Sequence, residues 1–248
     1  RLRGDLKKAL RVVIERYELP VRLTAQQDLL LCDVDPKWRD DIHQTLKNAG
    51  LKDLNDIEPN DMLSMACPAL PLCGLAITEA ERGLPDINKR LRVVMDKVGL
   101  TKADDIMIRM TGCPNGCARP YMAELGFVGD GPNTYQIWLG GTRNLTGIAR
   151  EFEDKIKVDD FETYFESLFA FWKQKRATDK EHFGDFVNRV SFDEIKAFQK
   201  AYVPGTVVSA ERLPRVMIER AALEKLTKYA EANNTTLTAA ATKAIMDL

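Results

Sequence analysis

Four of the five cysteines stand in two tight pairs, and they are the residues best suited to hold a metal. The first pair lies in Ala66-Cys67-Pro68-Ala69-Leu70-Pro71-Leu72-Cys73-Gly74. The second lies in Thr111-Gly112-Cys113-Pro114-Asn115-Gly116-Cys117-Ala118-Arg119. Prolines and glycines around the thiols favour turns, so the sulfurs can converge without each being carried on a regular element. Four converging thiolates suit either a tetrahedral zinc ion or an iron–sulfur cluster. Zinc knuckles place about two to four residues between paired cysteines; here five and three intervene, which favours a redox cluster. A disulfide pairing stays open on arithmetic alone, although nothing else marks the chain as secreted. Cys32, isolated in an apolar run, reads as a small buried hydrophobe.

The elements that must position these loops can be read from periodicity. Leu2 to Glu18 reads as a helix with Leu6, Leu10, Val13 and Ile14 on one face. Pro20 ends it, and Val21–Thr24 alternates as a strand. Leu29–Val34 reads as a second strand, apolar enough for burial on both faces. Pro36 fits the first turn of a helix carrying Trp38, Ile42 and Leu46, with His43 on its surface. Between the cysteine pairs, Leu75–Arg82 and Pro85–Val98 read as helices, and Asp104–Met110 as the strand that delivers the second pair into a loop. Ala123–Val128 and Thr134–Leu139 read as a hairpin through Asp130-Gly131-Pro132-Asn133, closed by Gly140-Gly141-Thr142. Helices are expected at Leu145–Ile156, Asp160–Lys175 and Phe192–Tyr202. In the middle one, Phe161, Tyr164, Phe165, Leu168, Phe169 and Trp172 form an aromatic stripe of the kind that fills a core.

With 248 residues, 45% hydrophobic and 29% charged, and a formal net charge of −1, the chain has no globally basic nucleic-acid surface. No run of eighteen apolar residues suggests a membrane span, and no signal-peptide pattern opens it. The start at Arg1, directly into an amphipathic helix, reads as the interior of a longer protein or as a processed N-terminus. Pro204-Gly205 and Pro214 mark a boundary. Beyond it come a strand, Arg215–Glu219, and helices at Ala221–Asn233 and Thr236–Leu248, an order similar to the ribbon–helix–helix fold. Such a tail is expected to promote self-association through strand pairing, or else to fold as a helical hairpin onto its own domain. From Thr206 onward it carries six basic and five acidic residues, which argues against DNA binding.

From Leu6 to about Val190 the chain resembles the C-terminal half of sulfite and nitrite reductase haemoproteins, and most of all the ferredoxin-dependent sulfite reductases. The resemblance rests on both cysteine motifs, on Ile77-Thr78-Glu79-Ala80-Glu81-Arg82-Gly83, and on the continuation Pro120-Tyr121-Met122-Ala123-Glu124. Val128-Gly129-Asp130-Gly131-Pro132-Asn133 and Trp138-Leu139-Gly140-Gly141-Thr142 extend it. It implies an α+β fold: a sirohaem/4Fe–4S domain with a helical C-terminal region and a small strand-helix-helix tail. Residues 1–202 would be the sulfite reductase C-terminal half, with a ferredoxin-like α/β portion at 1–60 and sirohaem and 4Fe–4S binding at 61–202. Residues 203–214 would be a linker and 215–248 the ribbon–helix–helix-like tail.

The same resemblance implies that Cys67, Cys73, Cys113 and Cys117 hold a 4Fe–4S cluster, and that Cys117 also bridges to the sirohaem iron. Asn115 and Arg119 match positions against the sirohaem, and Ala66 one whose backbone approaches it. Gln27 stands where the family has a cofactor-facing run, with Asp28 in place of an asparagine. The implied activity is six-electron reduction of sulfite to sulfide with ferredoxin as donor, in the cytoplasm or, in a plant or alga, the plastid stroma. Ferredoxin–nitrite reductase is the near alternative, set behind by Cys117-Ala118-Arg119-Pro120-Tyr121-Met122. An NADPH-fed enzyme is set behind by the Gly131-Pro132-Asn133 loop and Trp138. A non-catalytic four-cysteine zinc or DNA-binding module is the alternative from another class. The anion-binding residues of the family belong mainly to an N-terminal half, so no catalytic residue is assigned in this chain.

Overall fold

A computed structural model describes residues 4–206 and 220–233. The chain divides into two compact units, Arg1–Glu211 and Arg212–Leu248. In the first, helix α1 (Gly4–Tyr17) is followed by a hairpin of β1 (Val21–Leu23) and β2 (Leu29–Leu31), antiparallel with Val21 opposite Leu31. A short 3-10 turn at Pro36–Trp38, capped by the Asp35 carboxylate on the Lys37 N–H, leads into α2 (Arg39–Asn48). Val13, Leu19 and Ile42 form a small core here, with Tyr17 stacked on Trp38 at 4.8 Å. The expectation that Leu29–Val34 is a strand buried on both faces is corrected. Only Leu29–Leu31 is extended, and Leu30 is half exposed because, among the described residues, its hairpin has no further strand beside it.

The larger core is built on a five-stranded sheet of order β3-β4-β5-β6-β7. Short helix α3 (Pro59–Leu63) precedes β3 (Met65–Ala66). Helix α4 (Leu84–Lys97) then connects to β4 (Ile108–Thr111), which is parallel to β3. Strand β5 (Leu125–Gly131) is parallel to β4, and β6 (Thr134–Leu139) returns antiparallel with Leu125 opposite Leu139, as the hairpin pattern predicts. Strand β7 (Arg150–Lys157) closes the sheet. Helices α5 (Phe161–Lys175), α6 (Phe183–Arg189) and α7 (Phe192–Ala201) complete the unit.

The spacing of apolar residues explains the packing. In α5 the predicted stripe is core: Phe161, Phe165, Leu168, Phe169 and Trp172 are buried, and Phe127 of β5 stacks on Phe161 at 5.0 Å. Each such ring contributes about 1.5–3 kcal/mol by leaving water. Lys173 and Lys175 in its last turn suit the helix dipole. In α4, Leu84, Ile87, Leu91, Val94 and Met95 recur on one face and are all buried. Ser191 and Glu194 close a capping box that fixes the start of α7.

Two further expectations are corrected. Leu75–Arg82 is not a helix, because its backbone is used elsewhere. The Ile77 and Thr78 N–H groups both donate to Gly112 O, at 2.8 and 3.2 Å, and the Glu81 N–H donates to Cys67 O at 3.1 Å. Leu145–Ile156 is not a helix either: Arg150–Lys157 pairs with β6 as the edge strand, burying Phe152 and presenting charged residues outward. That composition blunts an edge against further pairing. Helix α6, which the periodicity did not announce, buries Phe183, Phe186 and Val187.

In the second unit, α8 (Arg220–Ala232) matches the helix expected at Ala221–Asn233, offset by one residue at each end. The strand expected at Arg215–Glu219 and the helix at Thr236–Leu248 lie outside the described residues. No helix among the described residues is long and apolar enough to cross a membrane.

Candidate metal centre

Both cysteine loops leave the sheet side by side. Parallel strands β3 and β4 pair Ala66 with Met110, so Cys67 emerges one residue beyond β3, and Gly112 and Cys113 directly beyond β4. Ligand loops at the carboxyl ends of parallel strands are a recurrent solution, since the rigid sheet fixes where they begin. The Cys67 N–H donates to Met110 O at 3.1 Å, and the Gly112 N–H donates to the Cys67 sulfur at 3.3 Å. Within the first loop, the Cys73 N–H donates to Ala69 O at 2.8 Å.

Glycine is required where these loops meet. A Cβ on Gly112 would come within 2.6 Å of Thr78 O and 2.7 Å of the Ala69 Cβ, and one on Gly129 within 2.5 Å of Gly112 O. Gly116 has φ +68°, and its open face is filled by the Tyr121 ring, whose hydroxyl donates to Pro114 O at 2.6 Å. Tyr121 packs edge-on against Trp138 at 4.6 Å. The second loop is thereby pinned to β6.

Cys67 and Cys113 are buried, Cys73 is half-buried and Cys117 is exposed. Burial pushes the Cys67 thiol up, N–H donation from Gly112 and Ala69 works against that, and Cys117 and Cys113 add a smaller upward push. Among the described residues, no three His, Cys, Asp or Glu side chains gather tightly enough to hold a single ion. A zinc ion would need its sulfurs about 2.3 Å from one point, whereas in a four-iron cluster each thiolate meets a different iron. With N–H groups donating to the Cys67 sulfur and both cysteine loops starting from adjacent parallel strands, the cysteines fit a thiolate-held cluster.

The other predicted positions lie around the exposed Cys117. Asn115 is exposed at the tip of the second loop. Arg119, left-handed at φ 53°, donates from Nη2 to Ala25 O at 2.7 Å and to Gln26 Oε1 at 3.1 Å. Ala66 is buried, and its carbonyl accepts from Gln27 Nε2 at 2.9 Å. Gln27 and Ala66 border a cavity of about 520 Å³ that Pro68, Asp61 and Asn88 also line. Asp28, noted as a departure, bonds through its backbone with Thr24 and closes the turn that presents Gln26 and Gln27.

Sequence reasoning missed Gln26 and Arg109. Arg109, fully buried in β4, donates from Nη2 to Gln26 Oε1 at 2.9 Å. Burial, and then the charge of Arg119, bring Arg109 down to about 10. A charged residue amid the apolar run Ile108–Met110 was the available signal.

Residues 64–204 match the nitrite and sulphite reductase 4Fe-4S domain. A protein of Synechococcus elongatus named sulfite reductase [ferredoxin] is 48% identical over 198 residues, 80% of this chain and 31% of that protein. A sulfite reductase [NADPH] hemoprotein beta-component of Staphylococcus saprophyticus is 38% identical over 190 residues, 76% of this chain and 33% of that protein. The chain spans about a third of the length of these curated relatives. Mycobacterium tuberculosis NirA has a similar fold, with TM-score 0.58 and 24% identity over 79% of this chain and 37% of that one. So does dissimilatory sulfite reductase I, at 0.53 and 11% over 86% of this chain and 70% of that one.

Proposed function

The chain belongs to the nitrite and sulphite reductase 4Fe-4S domain family, and on that premise we propose that it is a component of a ferredoxin-dependent sulfite reductase reducing sulfite to sulfide by six electrons. The observation that carries the reading is the Gly112 N–H on the Cys67 sulfur, which ties the two cysteine loops at the ends of adjacent parallel strands. Cys67, Cys73, Cys113 and Cys117 would hold the cluster, with Cys117 also reaching the sirohaem iron. A 4Fe–4S cluster sharing that sulfur with a sirohaem would supply electrons to the substrate in single steps.

The chain's own residues divide the remaining work. Buried Cys67 and Cys113 keep water from the inner side of the centre, while exposed Cys117 and Asn115 face outward, where a second group can be received. Arg119 offers a guanidinium two residues from Cys117, suited to a macrocycle that carries carboxylates. Leu70, Leu72, Leu75 and Ile77 of the first loop and its continuation are exposed. An apolar group of this kind suits cover by another polypeptide, in this reading the N-terminal half of the enzyme. Sulfite and ferredoxin are the partners this assigns, and the cytoplasm or plastid stroma the compartment.

The test is the absorption spectrum of the full chain produced together with the enzymes of sirohaem synthesis. Strong visible absorption that changes on reduction by ferredoxin is expected; a colourless protein contradicts the reading. The chain alone is expected not to turn over sulfite until the N-terminal half of such an enzyme is added. Normal turnover without it contradicts the partial-enzyme assignment.

A further inference from the structure

The stretch 77–81 carries no cysteine, yet its backbone holds both cysteine loops. The Ile77 and Thr78 N–H groups donate to Gly112 O, and the Glu81 N–H donates to Cys67 O. The stretch is neither helix nor strand, so its position has to be fixed from outside. Two buried hydroxyls do this, those of Thr78 and Tyr135. Tyr135 of β6 donates to Glu79 O at 2.6 Å, and the Asn133 N–H donates to Thr78 Oγ1 at 3.2 Å. Since the phenol proton is taken by Glu79 O, the Thr78 hydroxyl is the donor in its 3.2 Å contact with Tyr135 Oη. The bonds run in one direction, from the hairpin tip at Asn133 through Thr78 and Tyr135 to the Glu79 carbonyl. Buried hydroxyls are costly unless paired, and a valine and a phenylalanine would fill nearly the same space.

We propose that Thr78 and Tyr135 are positioning residues that hold the Gly112 N–H on the Cys67 sulfur and thereby set the reduction potential of the cluster. This rests on the function proposed above and deepens it. Thr78 lies directly against position 112, where a Cβ would meet Thr78 O at 2.6 Å. On the other side, a Cβ on Gly129 would meet Gly112 O at 2.5 Å and Thr78 Cγ2 at 2.8 Å. Gly112 is therefore wedged between Thr78 and β5, and a shift of Thr78 moves the N–H that lies 3.3 Å from the sulfur. Reduction adds negative charge to the cluster and its thiolates, so a hydrogen-bond donor on sulfur favours the reduced form. Weakening that bond lowers the potential. Both residues act through Gly112, and Tyr135 does so by keeping Thr78 and Glu79 in place.

The experiment is a redox titration of the full chain carrying its cluster, purified without oxygen, with the reduced cluster read by electron paramagnetic resonance. Tyr135→Phe and Thr78→Val each remove a hydroxyl and keep the shape of the side chain. Both are expected to leave the iron and sulfide contents unchanged. Both should shift the reduction equilibrium about tenfold toward the oxidised cluster, a midpoint lower by about 59 mV for one electron. That is the scale of one weakened hydrogen bond to a charged group. Thr78→Ser keeps the hydroxyl without the methyl and is expected to retain the wild-type midpoint. An unchanged midpoint in Tyr135→Phe and Thr78→Val overturns the proposal. So does a Thr78→Ser midpoint as low as that of Thr78→Val, which assigns the effect to packing of the methyl. Loss of iron and sulfide in Tyr135→Phe and Thr78→Val marks a structural prop and also overturns it. A wild-type chain without iron or sulfide defeats the proposed function, and this inference with it. An intact cluster whose potential ignores both hydroxyls defeats this inference alone.

Discussion

The Gly112 N–H lies 3.3 Å from the Cys67 sulfur, and this contact joins the second cysteine loop to the first. It exists only because position 112 has no side chain: a Cβ would meet Thr78 O at 2.6 Å and Ala69 at 2.7 Å. Gly112→Ala must therefore push the loops apart. The expected cost is about 1–3 kcal/mol, the usual range for overpacking. At about 2–4 °C per kcal/mol for a chain of this size, thermal unfolding should show it. An unchanged midpoint contradicts the packing described.

Cys117 and Cys32 should respond in opposite ways to the same substitution. Cys117 is exposed among Asn115, Arg119 and the second-loop turn, whereas half-buried Cys32 follows β2 and binds Pro20 O through its backbone. Cys117→Ser is expected to abolish the function of both cofactors, read as loss of the coupled cluster and haem spectrum. Cys32→Ser is expected to leave them intact. Retention in the first or loss in the second contradicts the ligand assignment.

Stability at acid pH should depend on Asp104. Burial works to raise its carboxyl, but the Thr101 N–H and the Arg176 guanidinium outweigh that, so it ionises below the usual carboxylate range. The contribution of a lowered carboxylate is complete above its unfolded value of about 3.9 and is lost as pH falls through the folded value. Asp104→Asn leaves Arg176 buried without its main partner, an expected loss of about 3–5 kcal/mol at neutral pH. In urea unfolding, the gap between wild type and variant should narrow below about pH 4. A constant gap at every pH contradicts the pairing.

How much of this was legible in the sequence depended on whether local pattern and tertiary use agreed. The stripes of α4 and α5 and the β5–β6 hairpin were readable because periodicity and burial coincide there. Leu75–Arg82 misled because nothing local shows that the Ile77 and Thr78 N–H groups are taken by Gly112, more than thirty positions away. Leu145–Ile156 misled because an exposed edge strand carries the charge density of a solvated helix. The cysteine spacing announced a cluster, but the Arg109–Gln26–Arg119 contact joins residues from three distant stretches and only the fold assembles it.

The tail gives a prediction of its own. If 215–248 pairs with a second copy, sedimentation should show the full chain as a dimer and a chain ending at Val203 as a monomer. Monomers in both cases would exclude the pairing role.

The central claim, that four cysteines of this chain hold a 4Fe–4S cluster, is tested most directly by iron and acid-labile sulfide analysis of the full chain purified without oxygen. About four of each per chain are expected, in line with four-cysteine ligation, and their loss when Cys67 and Cys113 are replaced together by serine. One zinc per chain, with neither iron nor sulfide, would contradict it.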